Sequence, residues 1–196
     1  MDIKDLDIKK MFIESKALLE GHFVLSSGLH SGFYMQSARV LQNPKTAELF
    51  GRMIASEIKK MNIETDIVVS PAMGGLIIGH EVARALDHNF LFTERVEGEM
   101  QLRRGFTLDK NSKVVIVEDV FTTGKSTREV IDLITGFGSK VVCCCSIVDR
   151  SGGTVQFGIP KISLINLNIE NHEKENCPLC KQGIQIQKPG SRFIIK

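Results

Sequence analysis

The chain has 196 residues, a formal net charge of +2 and a hydrophobic fraction of 42%. That length and balance suit one globular domain and leave no extended basic footprint for nucleic acid. The charged start, Met1 to Lys10, lacks the apolar core of a secretion signal, and no apolar run is long enough to cross a membrane. Five cysteines, three of them consecutive at Cys143 to Cys145, fit packing in a reduced cytoplasmic protein better than a disulfide scaffold.

In chain order, Leu6, Ile8, Met11, Phe12, Ile13, Leu18 and Leu19 predict a helix over 5–19 that ends near Gly21. His22 to Met35 alternates about Ser26-Ser27-Gly28 and predicts a hairpin or two short strands. Asn43-Pro44 starts a helix, with Asn as cap and Pro in the first turn, and apolar spacing carries it to Met61. Asp66 to Ser70 is a strand. It runs through Pro71-Ala72-Met73-Gly74-Gly75-Leu76 into a helix from Ile77 to Leu86. A glycine-bearing turn between strand and helix is an anion site; tight helix–sheet packing at Gly74 and Gly75 is the other reading. Asn89 to Thr93 is the next strand. The charged stretch Glu94 to Phe106, with Arg95, Arg103 and Arg104, reads as a mobile flap or a long hairpin, the plain form being a solvated charged hairpin.

Lys113 to Thr127 carries the most chemistry. Val114 to Val117 is an apolar run that suits a strand buried on both faces. Glu118 and Asp119 follow, then the small-residue turn Thr122-Thr123-Gly124-Lys125-Ser126-Thr127, then an amphipathic helix with Val130, Ile131, Leu133 and Ile134. Such a turn, opening a helix at the carboxyl edge of a parallel sheet, favours a phosphate. The two acids suit neutral hydroxyls, a cation or a cationic transition state. A sugar 5-phosphate fits both halves. The Gly-Lys-Ser-Thr end is not a triphosphate P-loop, because the required glycine five residues before the Gly-Lys pair is Asp119. Val141 to Val148 is a further buried strand, ending in Asp149-Arg150, and Ile162 to Leu167 is the last. In the tail, His172 with Cys177-Pro178-Leu179-Cys180 offers three of the four ligands a structural zinc takes, so no metal is assigned.

An apolar strand, two acids, two apolar residues and Thr-Thr-Gly-Lys-Ser-Thr resemble the phosphoribosyl-pyrophosphate (PRPP) loop of type I phosphoribosyltransferases. His22 to Met35, with Phe33-Tyr34 after a Ser-Gly turn, resembles the N-terminal segment of the orotate branch, though Ser26 stands where that branch often has Lys. The resemblance spans about residues 10–192. It implies an α/β fold: a central parallel sheet flanked by helices, forming one domain over 1–196. The core would cover about 40–165, and a small hood about 1–39 and 166–196. It further implies transfer of 5-phosphoribosyl from PRPP to orotate, giving orotidine 5′-phosphate and pyrophosphate, in pyrimidine biosynthesis. It implies as well that Mg²⁺ is carried by PRPP, that the partners are small molecules and not nucleic acid or membrane, and that the assembly is a homodimer.

The resemblance assigns PRPP to Glu118, Asp119, Val120, Phe121, Thr122, Thr123, Gly124, Lys125 and Ser126, with Met73 and Gly74 in a pyrophosphate loop where some orotate enzymes carry Lys. It assigns orotate to Thr122, Arg150, Phe33 and Tyr34; packing is the other reading of the two aromatics. Glu118, Asp119, Arg95, Arg103 and Arg104 are the catalytic candidates, and the flap lacks the Lys and His usual there. Two other readings are a purine-base phosphoribosyltransferase and a PRPP-binding regulator of the same fold. The second is disfavoured by the near-neutral charge and by the absence of a helix-turn-helix pattern in the first forty residues.

Overall fold

A computed structural model describes residues 7–25 and 28–187. Ser26 and Ser27 in the predicted turn, and the tail Pro189 to Arg192, lie outside the described residues. The elements are α1 (Ile8–Glu14), β1 (Leu18–Val24), β2 (His30–Met35), α2 (Ala38–Leu41), α3 (Pro44–Lys60), β3 (Ile67–Pro71), α4 (Gly75–Leu86), β4 (Asn89–Val96), β5 (Glu99–Leu102), β6 (Lys113–Phe121), α5 (Lys125–Gly136), β7 (Lys140–Asp149), β8 (Lys161–Asn166), β9 (Asn171–His172) and α6 (Pro178–Lys181). They build a six-stranded sheet in the order β5-β4-β3-β6-β7-β8 and a three-stranded sheet in the order β1-β2-β9. In the large sheet β4, β3, β6, β7 and β8 are parallel, and only β5 runs against its neighbour.

The apolar runs explain the layering. Side chains alternate across a strand, so a strand covered on both faces must be apolar throughout. Val115 and Val117 of β6 join Cys143 and Cys145 of β7 under α3 and α4, where Phe50, Ile54, Ile58, Ile78 and Val82 pack. Val114, Ile116 and Cys144 face the other way, toward Val130 and Ile134 of α5. The three consecutive cysteines are all buried and free, two on one face of the sheet and one on the other. Burial pushes the Cys144 and Cys145 thiols up. Each wholly buried aliphatic side chain in these layers contributes about 1.5–3 kcal/mol. At α3 the Asn43 side chain accepts from Lys45 N at 3.0 Å, and Pro44 opens the helix.

The first helix is shorter than predicted. It stops at Glu14, because the Ser15 hydroxyl donates back to the Met11 carbonyl at 2.7 Å and Lys16 turns left-handed with φ +55°. Leu18 and Leu19 continue the helical spacing, but they leave the helix to pair with Met35 and Tyr34 across the hairpin. Tertiary strand pairing therefore overrides local periodicity there. Strand β6 also runs further than the apolar run implied: Glu118 to Phe121 stay paired along β7, so both acids stand on a strand. The short helix α2, which places Ser37 beside β6, was not predicted.

Candidate active site

The carboxyl ends of β3, β6 and β7 lie at one edge of the sheet, the place where open α/β sheets bind ligands. At that edge β6 presents two acids with different surroundings. Glu118 is buried, and desolvation, then the adjacent Asp119 charge, pushes its carboxyl up to about 9. Glu118 is therefore a neutral acid at pH 7. The Asp119 carboxylate accepts from Val120 N at 2.9 Å and from the Ser37 hydroxyl. The turn before α4 closes over it. A Cβ at Gly74 would lie 2.6 Å from Asp119 Oδ1, so a side chain at position 74 would collide with the acid. Met73 beside it is exposed at 81%, which puts this turn on the solvent side of the edge.

After Phe121 the chain turns at Thr122 and Thr123, both exposed, into Gly124, which has φ +72°. Thr123 Oγ1 accepts from Lys125 N at 3.3 Å. Gly124 gives α5 no side-chain cap, so the first turn of a twelve-residue helix opens toward the acids. Ser126 is half-buried there, while Thr127 is buried. The turn is braced from behind. Arg128 donates to the Thr123 carbonyl at 3.1 Å and the Gln156 carbonyl at 2.8 Å, and its guanidinium lies 5.3 Å over the Phe157 ring. Phe157 in turn meets buried Phe121 edge-on at 5.1 Å. Ser37 and Arg128 were not singled out in the sequence. Neither belongs to a motif, and each acts through a contact that only the fold creates.

Arg150 stands at the same edge, with its N–H on the Phe121 carbonyl at 2.8 Å. Its guanidinium is half-buried, donates to Asn171 Oδ1 at 3.2 Å, and makes no ion pair among the described residues. Burial lowers its pKa from the ordinary arginine value. The neighbouring Asp149 is already paired with Lys161 at 2.6 Å and accepts from the Ser151 N–H and hydroxyl. Arg150 thus faces the site as a cation with one neutral partner. Of the aromatic pair, Phe33 packs against the main core, and Tyr34 lies 5.8 Å from the buried Phe23 ring and donates to Gln36 Oε1 at 3.2 Å. Adjacent strand residues point to opposite faces, so the two rings do not form one continuous surface.

The charged stretch after β4 is a hairpin with β5. Arg95 pairs with Glu129, one turn into α5, so the hairpin stands beside the Thr122–Ser126 turn; Lys125 Nζ lies 4.0 Å from the same Glu129. Arg104 grips Glu94 through two bonds of 2.7 Å, which holds that carboxyl below its usual range. Arg103 is exposed and has no ion pair among the described residues. In the tail, Cys177 and Cys180 do not gather His172, whose ring faces Glu170 at 3.8 Å. A concavity of about 450 Å³ lined by Arg52, Ser56, Lys59 and Lys60 sits where α3 runs out, at the opposite edge from the acids. No described helix is long and apolar enough to cross a membrane.

Residues 36–177 match the family described as the phosphoribosyl transferase domain. The orotate phosphoribosyltransferase of Carboxydothermus hydrogenoformans is 51% identical over 95% of this chain and 98% of its own length. The solved orotate phosphoribosyltransferase of Aeropyrum pernix superposes with a TM-score of 0.65 at 25% identity, covering 80% of this chain and 92% of that one. A Trypanosoma brucei adenine phosphoribosyl transferase superposes almost as well, at TM-score 0.64 and 19% identity over 97% and 90% of the two chains, so the backbone alone does not select a base. The chain belongs to the phosphoribosyltransferase family, in the branch of relatives named orotate phosphoribosyltransferases.

Proposed function

We infer that the protein transfers the 5-phosphoribosyl group of PRPP to orotate, giving orotidine 5′-phosphate and pyrophosphate. Its place is in pyrimidine biosynthesis. A ring nitrogen of orotate forms the new bond to the anomeric carbon and gives up its proton. The bond from that carbon to pyrophosphate breaks, and the electron pair leaves with pyrophosphate. The 5-phosphate sits in the turn Thr122 to Ser126 against the α5 N-terminus, and the ribose hydroxyls meet Asp119. A carboxylate under the ring stabilises the oxocarbenium-like charge that develops there. Gly74 and Met73 approach the pyrophosphate through the backbone, and the arginines of the β4–β5 hairpin meet it as it leaves. Mg²⁺ arrives with PRPP as part of the substrate and offsets its charge.

The observation that carries the choice of base is Arg150. It is a half-buried guanidinium beside the PRPP turn with no carboxylate partner among the described residues. Orotate brings a carboxylate, and a planar guanidinium can bind it through two parallel hydrogen bonds. Adenine, guanine and hypoxanthine bring none. The six-stranded sheet is the catalytic core, and the small sheet β1-β2-β9 is the hood, in a cytoplasmic homodimer. The test is ultraviolet detection of base consumption with PRPP and Mg²⁺. Orotate should be consumed and the three purines left; purine turnover would move the assignment to a purine enzyme of the same fold.

A further inference from the structure

The geometry points to a structural zinc site of two histidines and two cysteines, His22, His30, Cys177 and Cys180, joining the N-terminal hairpin to the C-terminal segment. One ligand atom from each lies within 4.8 Å of the others. His22 Nε2 is 3.6 Å from Cys177 Sγ and 3.7 Å from Cys180 Sγ; His30 Nδ1 is 3.3 Å from Cys180 Sγ and 2.8 Å from His22 Nε2. A tetrahedral zinc with bonds of about 2.3 Å to sulfur and about 2.0 Å to nitrogen holds its donors about 3.3–3.8 Å apart. These three sulfur–nitrogen spacings already match, and the two rings need to part by about half an ångström.

Three further observations favour a metal over an incidental polar cluster. His22, His30 and Cys177 are buried, a costly place for two imidazoles that turn one nitrogen each toward one another and toward two thiols. The far nitrogen of His22, Nδ1, lies 2.7 Å from the Ile184 carbonyl. That carbonyl can only accept, so Nδ1 carries the proton and Nε2 turns a lone pair to the cluster, the orientation seen at metal-bound histidines. Finally, Cys177-Pro178-Leu179-Cys180 folds as a knuckle, with Pro178 opening α6, so both sulfurs face one point. Two sulfurs and two imidazoles select zinc over Mg²⁺ or Ca²⁺, and four protein ligands close the site. The role is therefore a staple and not catalysis. It would hold the segment from β9 to α6 on the hairpin, and β9 carries Asn171, the partner of Arg150.

The test reads metal and not turnover, so it stands apart from the assignment of the reaction. Protein purified without chelators should contain one zinc per chain. The Cys177→Ser/Cys180→Ser variant should contain less than about a tenth of that. His172→Ala should keep its zinc in full, which separates this ligand set from one built on the tail alone. Metal-free protein given one equivalent of Co²⁺ should show the intense visible bands of a tetrahedral cobalt–thiolate site, and chelation of the wild type should lower its melting temperature. A wild type that holds no zinc and gives no such bands, a Cys177–Cys180 disulfide in protein kept reduced, or zinc lost on His172→Ala would overturn the proposal.

Discussion

Two regions of this molecule bring chemistry-bearing residues together in opposite ways. The β6–α5 connection does so within one contiguous stretch: strand, acids, turn and helix follow in order from Lys113 to Gly136. The small sheet does so from segments far apart, with β1 and β2 near the start and β9 near the end. In the first, spacing along the chain is nearly spacing in the site. In the second, His22 and His30 meet Cys177 and Cys180 only once the chain has folded back. A local site reads as a motif; an assembled one reads as scattered residues.

The largest expected effect tests the local site. Asp119→Asn should lower turnover about a hundredfold with the fold intact, as removal of a preorganised electrostatic stabiliser does. Steady-state kinetics with both substrates saturating will show it, and wild-type turnover would remove the carboxylate from the mechanism. Arg150→Ala comes next, at the junction of the two regions, since Asn171 of β9 holds its guanidinium. One charged hydrogen bond is worth about 1.5–3 kcal/mol, so orotate binding should weaken roughly tenfold to a hundredfold while PRPP binding is spared. Calorimetric titration of each substrate separates the two, and unchanged orotate affinity would break the assignment of the base.

A smaller effect sharpens the reading of the hairpin. Arg103 is the arginine without a carboxylate partner among the described residues, whereas Arg95 and Arg104 are engaged by Glu129 and Glu94. Arg103→Ala should raise the KM for PRPP about fivefold or cut turnover similarly, an effect in the range of a charge-assisted hydrogen bond. Arg104→Ala should do less. The reverse order would mean that the Glu94 pair opens when PRPP binds.

A separate effect is one of stability and not of turnover. Glu118 ionises near 4.5 when unfolded and at about 9 when folded. Between those values the unfolded chain gains from ionisation and the folded one does not, so Glu118 withdraws stability as pH rises from 4.5 toward 9. Glu118→Gln should therefore melt roughly 10 °C or more above the wild type at pH 8, with the gain shrinking to about 2–3 °C at pH 5. Thermal melts across that range check the slope, and a difference that does not change with pH would show that Glu118 is ionised in the fold.

How much was legible follows the same division. The doubly covered strands announced themselves as unbroken apolar runs, and the α3 cap was visible in Asn43-Pro44. The acids, the turn and Arg150 were named from sequence because each is adjacent to such a strand. The end of α1 was not legible, since Leu18 and Leu19 satisfy a helical stripe and a strand equally well and only Met35 and Tyr34 decide between them. Ser37, Arg128 and Asn171 were missed because a hydrogen bond between distant segments leaves no periodicity. The same blindness made His172 look like the ligand companion of Cys177 and Cys180, when two histidines on an antiparallel hairpin were nearer.

The contact between Gly74 and Asp119 also constrains how this chain can change. The room left by the missing side chain is the room the acid occupies, so positions 74 and 119 share one volume. A side chain gained at 74 must be met by a shift of the acid at 119. A lysine introduced at 74, as in some orotate enzymes, would have to displace the carboxylate before it could reach a phosphate, unless the backbone of the turn had moved first. Sequences of this branch are therefore expected to vary at these two loops jointly, and a residue grafted into one of them carries the history of the other with it.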